Sequence, residues 1–139
     1  MEKLSKKELI EKVQRRDNLE RADISELNLA GVDLREAKLK NAICEGTNFS
    51  NSILMSADLS GAHLTDANFQ DAILLFTDLS GANLEDAELQ GAILVGADLA
   101  YTNFQNANLR CADFDGARIE GANFDGADLT DSNFEHHNL

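Results

Sequence analysis

Residues 81–100 read GANLE DAELQ GAILV GADLA: four successive fives in which a small residue, a middle residue and a Leu recur in register. The units are Ala82-Asn83-Leu84, Ala87-Glu88-Leu89, Ala92-Ile93-Leu94 and Ala97-Asp98-Leu99. A period of five cannot hold one face of a helix that turns every 3.6 residues, so this stretch is not an α-helix. Residues two apart point the same way on an extended chain, which puts the small and the large residue of each unit on one inward side.

The frame extends outward without a slip from residue 21 to residue 139. Taking the large apolar residue as the centre of each unit, there are 24 centres: 15 Leu, 6 Phe, 2 Ile and Cys44. Two residues before the centre the chain places 16 Ala, with Thr47, Thr77, Thr102, Ser52 and Ser132 among the others. Leu27, Val32 and His137 break this rule, all near the two ends. All nine glycines fall two residues after a centre, a position otherwise rich in Asn and Asp. These are the residue types that tolerate positive φ, so each unit ends in a corner. The chain therefore turns every five residues around a narrow column of large and small side chains.

Departures from the consensus recur at a spacing of 20. Ile53, Ile73 and Ile93 each precede a centre, Asp58, Asp78 and Asp98 do so one unit later, and Phe centres pair as Phe49/Phe69, Phe104/Phe124 and Phe114/Phe134. Like residues stacking at that interval imply four units per coil and about six coils. The repeated A-(D/N)-L-x-x pattern over residues 21–139 resembles the pentapeptide-repeat family. The resemblance implies an all-β solenoid, a right-handed quadrilateral β-helix of 20-residue coils. Some members resemble DNA in shape and charge and bind type II topoisomerases. This chain is shorter than those, has no inserted loop, and no dimerisation helix follows Leu139.

Residues 1–20 stand outside the frame. Leu4, Leu9, Ile10 and Val13 keep a helical spacing, and Ser5 with Glu8 forms a capping-box signature. A short amphipathic helix over residues 6–16 is expected, acting as an N-terminal cap that covers the first coil; a partner-binding or membrane-surface helix is the alternative. The division is thus 1–20, helical cap, and 21–139, β-helix.

Composition narrows the function. With 25 acidic and 12 basic residues the net charge is −13, which disfavours direct binding to nucleic acid or an anionic membrane. No apolar run approaches the ~20 residues of a membrane span, and the charged start carries no signal-peptide core, so a cytoplasmic protein is expected. Two cysteines 67 positions apart form no metal or redox motif, and neither a metal nor a cofactor is expected. Cys44 occupies a core position, Cys111 a corner without a base nearby, and His63 has no Cys or carboxylate adjacent in its column, where its neighbours are Ile43 and Asn83; His136 and His137 close the chain. No enzyme is expected.

Two surface ladders remain. On one side Ile53, Ile73 and Ile93 stand beside Met55, Leu75 and Val95, with Phe76 at the adjoining corner. At ~4.8 Å between coils these form one ridge, exposing on the order of 300–500 Å², near the largest patch of an ordinary monomer. It reads either as a protein-binding or self-association surface or as β-branched stacking that stabilises the face. The next side carries the acidic ladder Asp58, Asp78 and Asp98, flanked by Lys38 and Arg118. A linear row does not converge as a hard cation requires. The whole acidic rod, without Lys or Arg over residues 41–109, also suits a nucleic-acid mimic. At the far end Phe124, Leu129 and Phe134 lack a visible cap, so a homodimer stacking C-terminal coils is expected. The primary reading is a non-catalytic interaction scaffold with an unidentified protein partner; the alternative is an acidic mimic that binds a topoisomerase or another DNA-binding protein.

Overall fold

A computed structural model describes residues 2–134. It opens with helix α1, Lys6–Gln14, capped as the sequence predicts: the Glu8 amide donates to Ser5 Oγ at 3.1 Å and the Ser5 amide donates to Glu8 Oε1 at 3.0 Å. The helix stops two residues short of the expected Arg16. Arg16 adopts φ +61°, its amide donates to the Val13 carbonyl, and the Asp17 amide donates to that of Lys12. These bonds close the helix with a left-handed residue. The same residue is the first corner of the solenoid, so the helix end and the start of the frame share one backbone turn.

From Arg16 to Asp131 every fifth residue has positive φ, the nine glycines and fifteen others alike. Each corner lies in a four-residue turn. In the unit centred on Leu34, the Ala37 amide donates to the Leu34 carbonyl at 3.1 Å, with Glu36 as the positive-φ third residue, the place a type II turn demands it. Parallel bridges join middle residues 20 apart, as in Asn18↔Lys38↔Asp58↔Asp78↔Asp98↔Arg118. Four corners therefore separate one coil from the next. The ladder reaches back past residue 21, to Asn18 and, through Lys3↔Asp23, to the segment before α1.

The pairing takes the form of isolated bridges rather than continuous strands. The reason is the corner frequency: too little of each five is extended for longer pairing. Main-chain donors are nevertheless used with economy. In the unit centred on Leu54, the Ile53 amide bonds to Val32 in the preceding coil, while the Leu54 and Ser56 amides bond to Ile73 and Leu75 in the next. The Ala57 amide closes the turn onto Leu54. One donor per unit, on the residue after the centre, gets no main-chain acceptor.

The consensus Asp or Asn supplies it. In each Asp- or Asn-bearing unit from Asn18 to Asp128, the middle side chain accepts from the amide two residues on, as when Asn68 Oδ1 takes the Gln70 amide at 2.9 Å. This is an Asx turn, in which a short side chain stands in for a backbone carbonyl.

Inside, the centres from Ile24 to Leu109 are fully buried, with Ala filling the space between them. Phe49 and Phe69 stack at 4.7 Å, and Phe104 and Phe124 at 5.1 Å, both nearly parallel. Where Thr replaces Ala its hydroxyl is satisfied: Thr47, Thr77 and Thr102 donate to the carbonyls of Ile24, Leu54 and Leu79. Among the described residues, no helix is long and apolar enough to cross a membrane.

Candidate functional site

The seven ridge residues share one face and its following corner. Ile53↔Ile73↔Ile93 are consecutive parallel bridges, so the three side chains stand in register. Met55 and Ile93 are just over a third exposed, Phe76 is 64% exposed, and Ile53, Leu75, Ile73 and Val95 are half-buried. Phe76 owes its position to Gly96. One edge of its ring lies against that glycine in the next coil, where an added Cβ would come within 2.6 Å of Cδ1 and Cε1. Tyr101 sits on Gly121 in the same way and is equally exposed. Sequence reasoning missed this pairing, although a large corner residue followed by Gly 20 positions later was its signal.

At its N-terminal end the ridge runs into a groove of about 490 Å³ lined by Met55, by Val13 of α1 and by Arg16 just past the helix. Arg16 is paired there with Glu36. Ile43, on another face, is also just over a third exposed.

The acidic ladder has a structural occupation. Asp58 Oδ1 accepts from the Ser60 amide and hydroxyl at 2.9 and 2.6 Å, and Asp78 does the same with Ser80. Asp98 accepts from the Ala100 amide and meets Arg118 at 3.5 Å. Elsewhere the same geometry tunes acidity: hydrogen bonds from the Ser25 hydroxyl and amide hold the Asp23 carboxyl below its ordinary range, and Thr130 does so for Asp128. No group of three or more His, Cys, Asp or Glu among the described residues could hold a metal ion.

Cys44 is buried at the core and its thiol is pushed far up by desolvation, which suppresses the thiolate. Cys111 and His63 are exposed on different faces. His136 and His137 lie outside the described residues. At the C-terminal end the expected bare coil is partly closed. Asn133 Oδ1 accepts the Phe114 amide at 2.6 Å, its Nδ2 donates to Asp113, and Phe134 packs against Phe124 and Phe114. Phe124, Leu129 and Phe134 are half-buried, not exposed.

A corner every fifth residue, a 20-residue ladder and an Ala/Leu interior define a solenoid repeat protein with an outward-facing apolar ridge. Family models agree: "Pentapeptide repeats (8 copies)" matches residues 18–55 and 54–86, and "Pentapeptide repeat region" matches 76–139. The chain belongs to the pentapeptide-repeat family. Among solved structures it is similar to a pentapeptide repeat protein from the Arabidopsis thaliana thylakoid lumen, at 30% identity over 86% of this chain and 70% of that one, TM-score 0.59. The pentapeptide repeat protein alr5209 from Nostoc Pcc 7120 is also 30% identical, over 86% of this chain and 94% of its own, TM-score 0.45. QnrB1, a plasmid-mediated fluoroquinolone resistance protein, is 22% identical over 84% and 65%, TM-score 0.49. No curated protein sequence matches this chain.

Proposed function

We propose that this protein is a non-catalytic interaction scaffold: a right-handed, four-sided β-helix of about six coils, capped at its N-terminal end by α1, that binds a protein partner through the Ile53–Ile73–Ile93 ridge. The observation that carries the reading is the run of three successive coils whose unit on this face has an apolar middle residue. A consensus Asp or Asn at those positions would satisfy a main-chain donor, as it does above and below at Asp33 and Asp113. The fold does not need Ile there, and the ridge it makes is a partly exposed apolar surface of the kind that marks binding sites.

The test is the double variant Ile73→Asp, Leu75→Asp. Asp occupies both of these unit positions elsewhere in the chain, at Asp113 and Asp115, so the fold tolerates it. Association with the native partner is expected to vanish while the circular dichroism spectrum stays the same. Association that survives the substitutions and weakens steeply with salt would favour the acidic-mimic reading instead, because line-charge binding is screened and apolar contact is not.

A further inference from the structure

This inference rests on the ridge being a protein-binding surface and concerns what that surface accepts. Ile in place of Asx on this face in three successive coils leaves three main-chain donors without an acceptor among the described residues. The amides of Met55, Leu75 and Val95 have no acceptor among the described residues, whereas the equivalent amides of Arg35 and Asp115, on the same face, are taken by Asp33 and Asp113. The backbone is otherwise unchanged: the following corners Ser56, Phe76 and Gly96 keep φ of 59°, 55° and 66°. The three N–H groups therefore point to where an Asx oxygen would sit, on the outside of the face, beside the Ile side chains. No other face has three such units in succession; the nearest has two, at Ile43 and His63.

The occupant must cover apolar side chains and bring acceptors at the spacing of the coils. A second copy brings donors against donors and adds a further −13 of charge, so it fits poorly. An anion is repelled by Asp58, Asp78 and Asp98 on the next face, and residues 41–109 hold no Lys or Arg to offset them. An extended segment along the axis repeats same-side groups every ~6.6 Å, against ~4.8 Å between coils. A helix repeats every ~5.4 Å, and over two intervals it drifts from the coil register by only about 1.2 Å. At the ridge's end, Val13 of α1 and Met55 line one groove, and Arg16, just past the helix, pairs with Glu36 at its border.

We propose that the ridge binds a partner's amphipathic helix lying along the solenoid axis. Its apolar stripe covers Ile53, Ile73 and Ile93, neutral acceptors (Asn, Gln, Ser or Thr) along one edge take the Met55, Leu75 and Val95 amides, and Lys or Arg at its borders meets the surrounding carboxylates.

Synthetic helical peptides of about five turns test this against the full chain. One carries a Leu stripe edged by Gln with Lys borders, a second has Glu borders, and a third has Ser in place of Leu. Fluorescence anisotropy should show binding by the first alone. In NMR spectra that peptide should move the Met55, Leu75 and Val95 amide protons downfield. Ile73→Asn removes the apolar group and fills the Leu75 donor, and should weaken binding at least about tenfold, the scale of a hot-spot contact. Ile73→Val, which does neither, should bind like wild type. Equal binding of the Glu-bordered peptide, or undiminished binding to Ile73→Asn, overturns the proposal. If the native association is lost in Ile73→Asp, Leu75→Asp yet no Lys-bordered peptide binds wild type, the ridge reading stands and the helix class falls. If the native association survives those substitutions, the ridge reading itself falls.

Discussion

The Ile face and the Asp face follow one another in each coil, and beneath the surface they are the same structure. Leu54, Leu74 and Leu94 under the first are as fully buried as Leu59, Leu79 and Leu99 under the second. Outside, they differ in one respect. Asp58, Asp78 and Asp98 each engage a carboxylate oxygen with the amide two residues on. Ile53, Ile73 and Ile93 cannot, and three donors have no acceptor among the described residues. The comparison teaches that the acidic residues of the repeat are part of how it folds, so the acidity of the rod is not by itself a sign of function. The ladder that departs from the rule is the one the fold does not explain.

The largest effects test whether the two faces are equivalent inside. Leu74→Ala and Leu79→Ala should each remove about 2–5 kcal/mol, as deletion of a buried Leu does, and urea unfolding should give two values within about 1 kcal/mol of each other. A much milder Leu74→Ala would show a looser Ile face and break the comparison. Next comes the corner between them. Gly96→Ala places a methyl group against the Phe76 ring at φ +66°, a backbone conformation that alone costs roughly 1–2 kcal/mol for an L-residue. Adding Phe76→Ala should recover the steric part only, and a double-mutant cycle would separate the two.

Smaller effects address the surfaces themselves. Asp78→Ala leaves the Ser80 amide and hydroxyl without their acceptor and should lose about 1 kcal/mol, measured as a shift in thermal midpoint. Ile73→Asn gains the Leu75 amide bond, about 1 kcal/mol, and gives up stacking on Ile53 and Ile93, roughly 0.2–1 kcal/mol. Its midpoint should barely move. A large loss would mean that the Ile ladder is there for stability.

The smallest effect is on pH dependence. Asp23 and Asp128 are held below the ordinary carboxylate range by Ser25 and Thr130. A depressed carboxyl contributes stability that is present above the unfolded value, about 3.9, and is lost as pH falls through the lower folded value. Thermal midpoints recorded from neutral pH down through that window should fall less steeply for Asp23→Asn, which keeps the acceptor without the proton.

Much of the architecture was legible because the pattern is periodic and local. The Ser5/Glu8 box located the start of α1, and Phe49/Phe69 announced a stack that the structure contains. Its end was not legible, because nothing about Arg16 marks it as the residue that turns left-handed. Nor was the closing role of Asn133, whose side chain replaces a backbone carbonyl only where the ladder runs out. On the ridge, the sequence located the seven apolar side chains but not the three amides beside them. Seeing those required knowing what Asp and Asn do in the other units.

The sequence by itself determined the five-residue unit, the coil of four units, and the residues each face presents. Small and large side chains alternating in an extended chain can point inward in only one phase, and corner residues declare themselves by type. The tertiary structure alone decided what lies between coils: Phe76 resting on Gly96, Asx oxygens reaching the amide two residues on, and Ile leaving that amide open. Those contacts depend on coil register and rotamer, which packing sets and no five-residue pattern specifies.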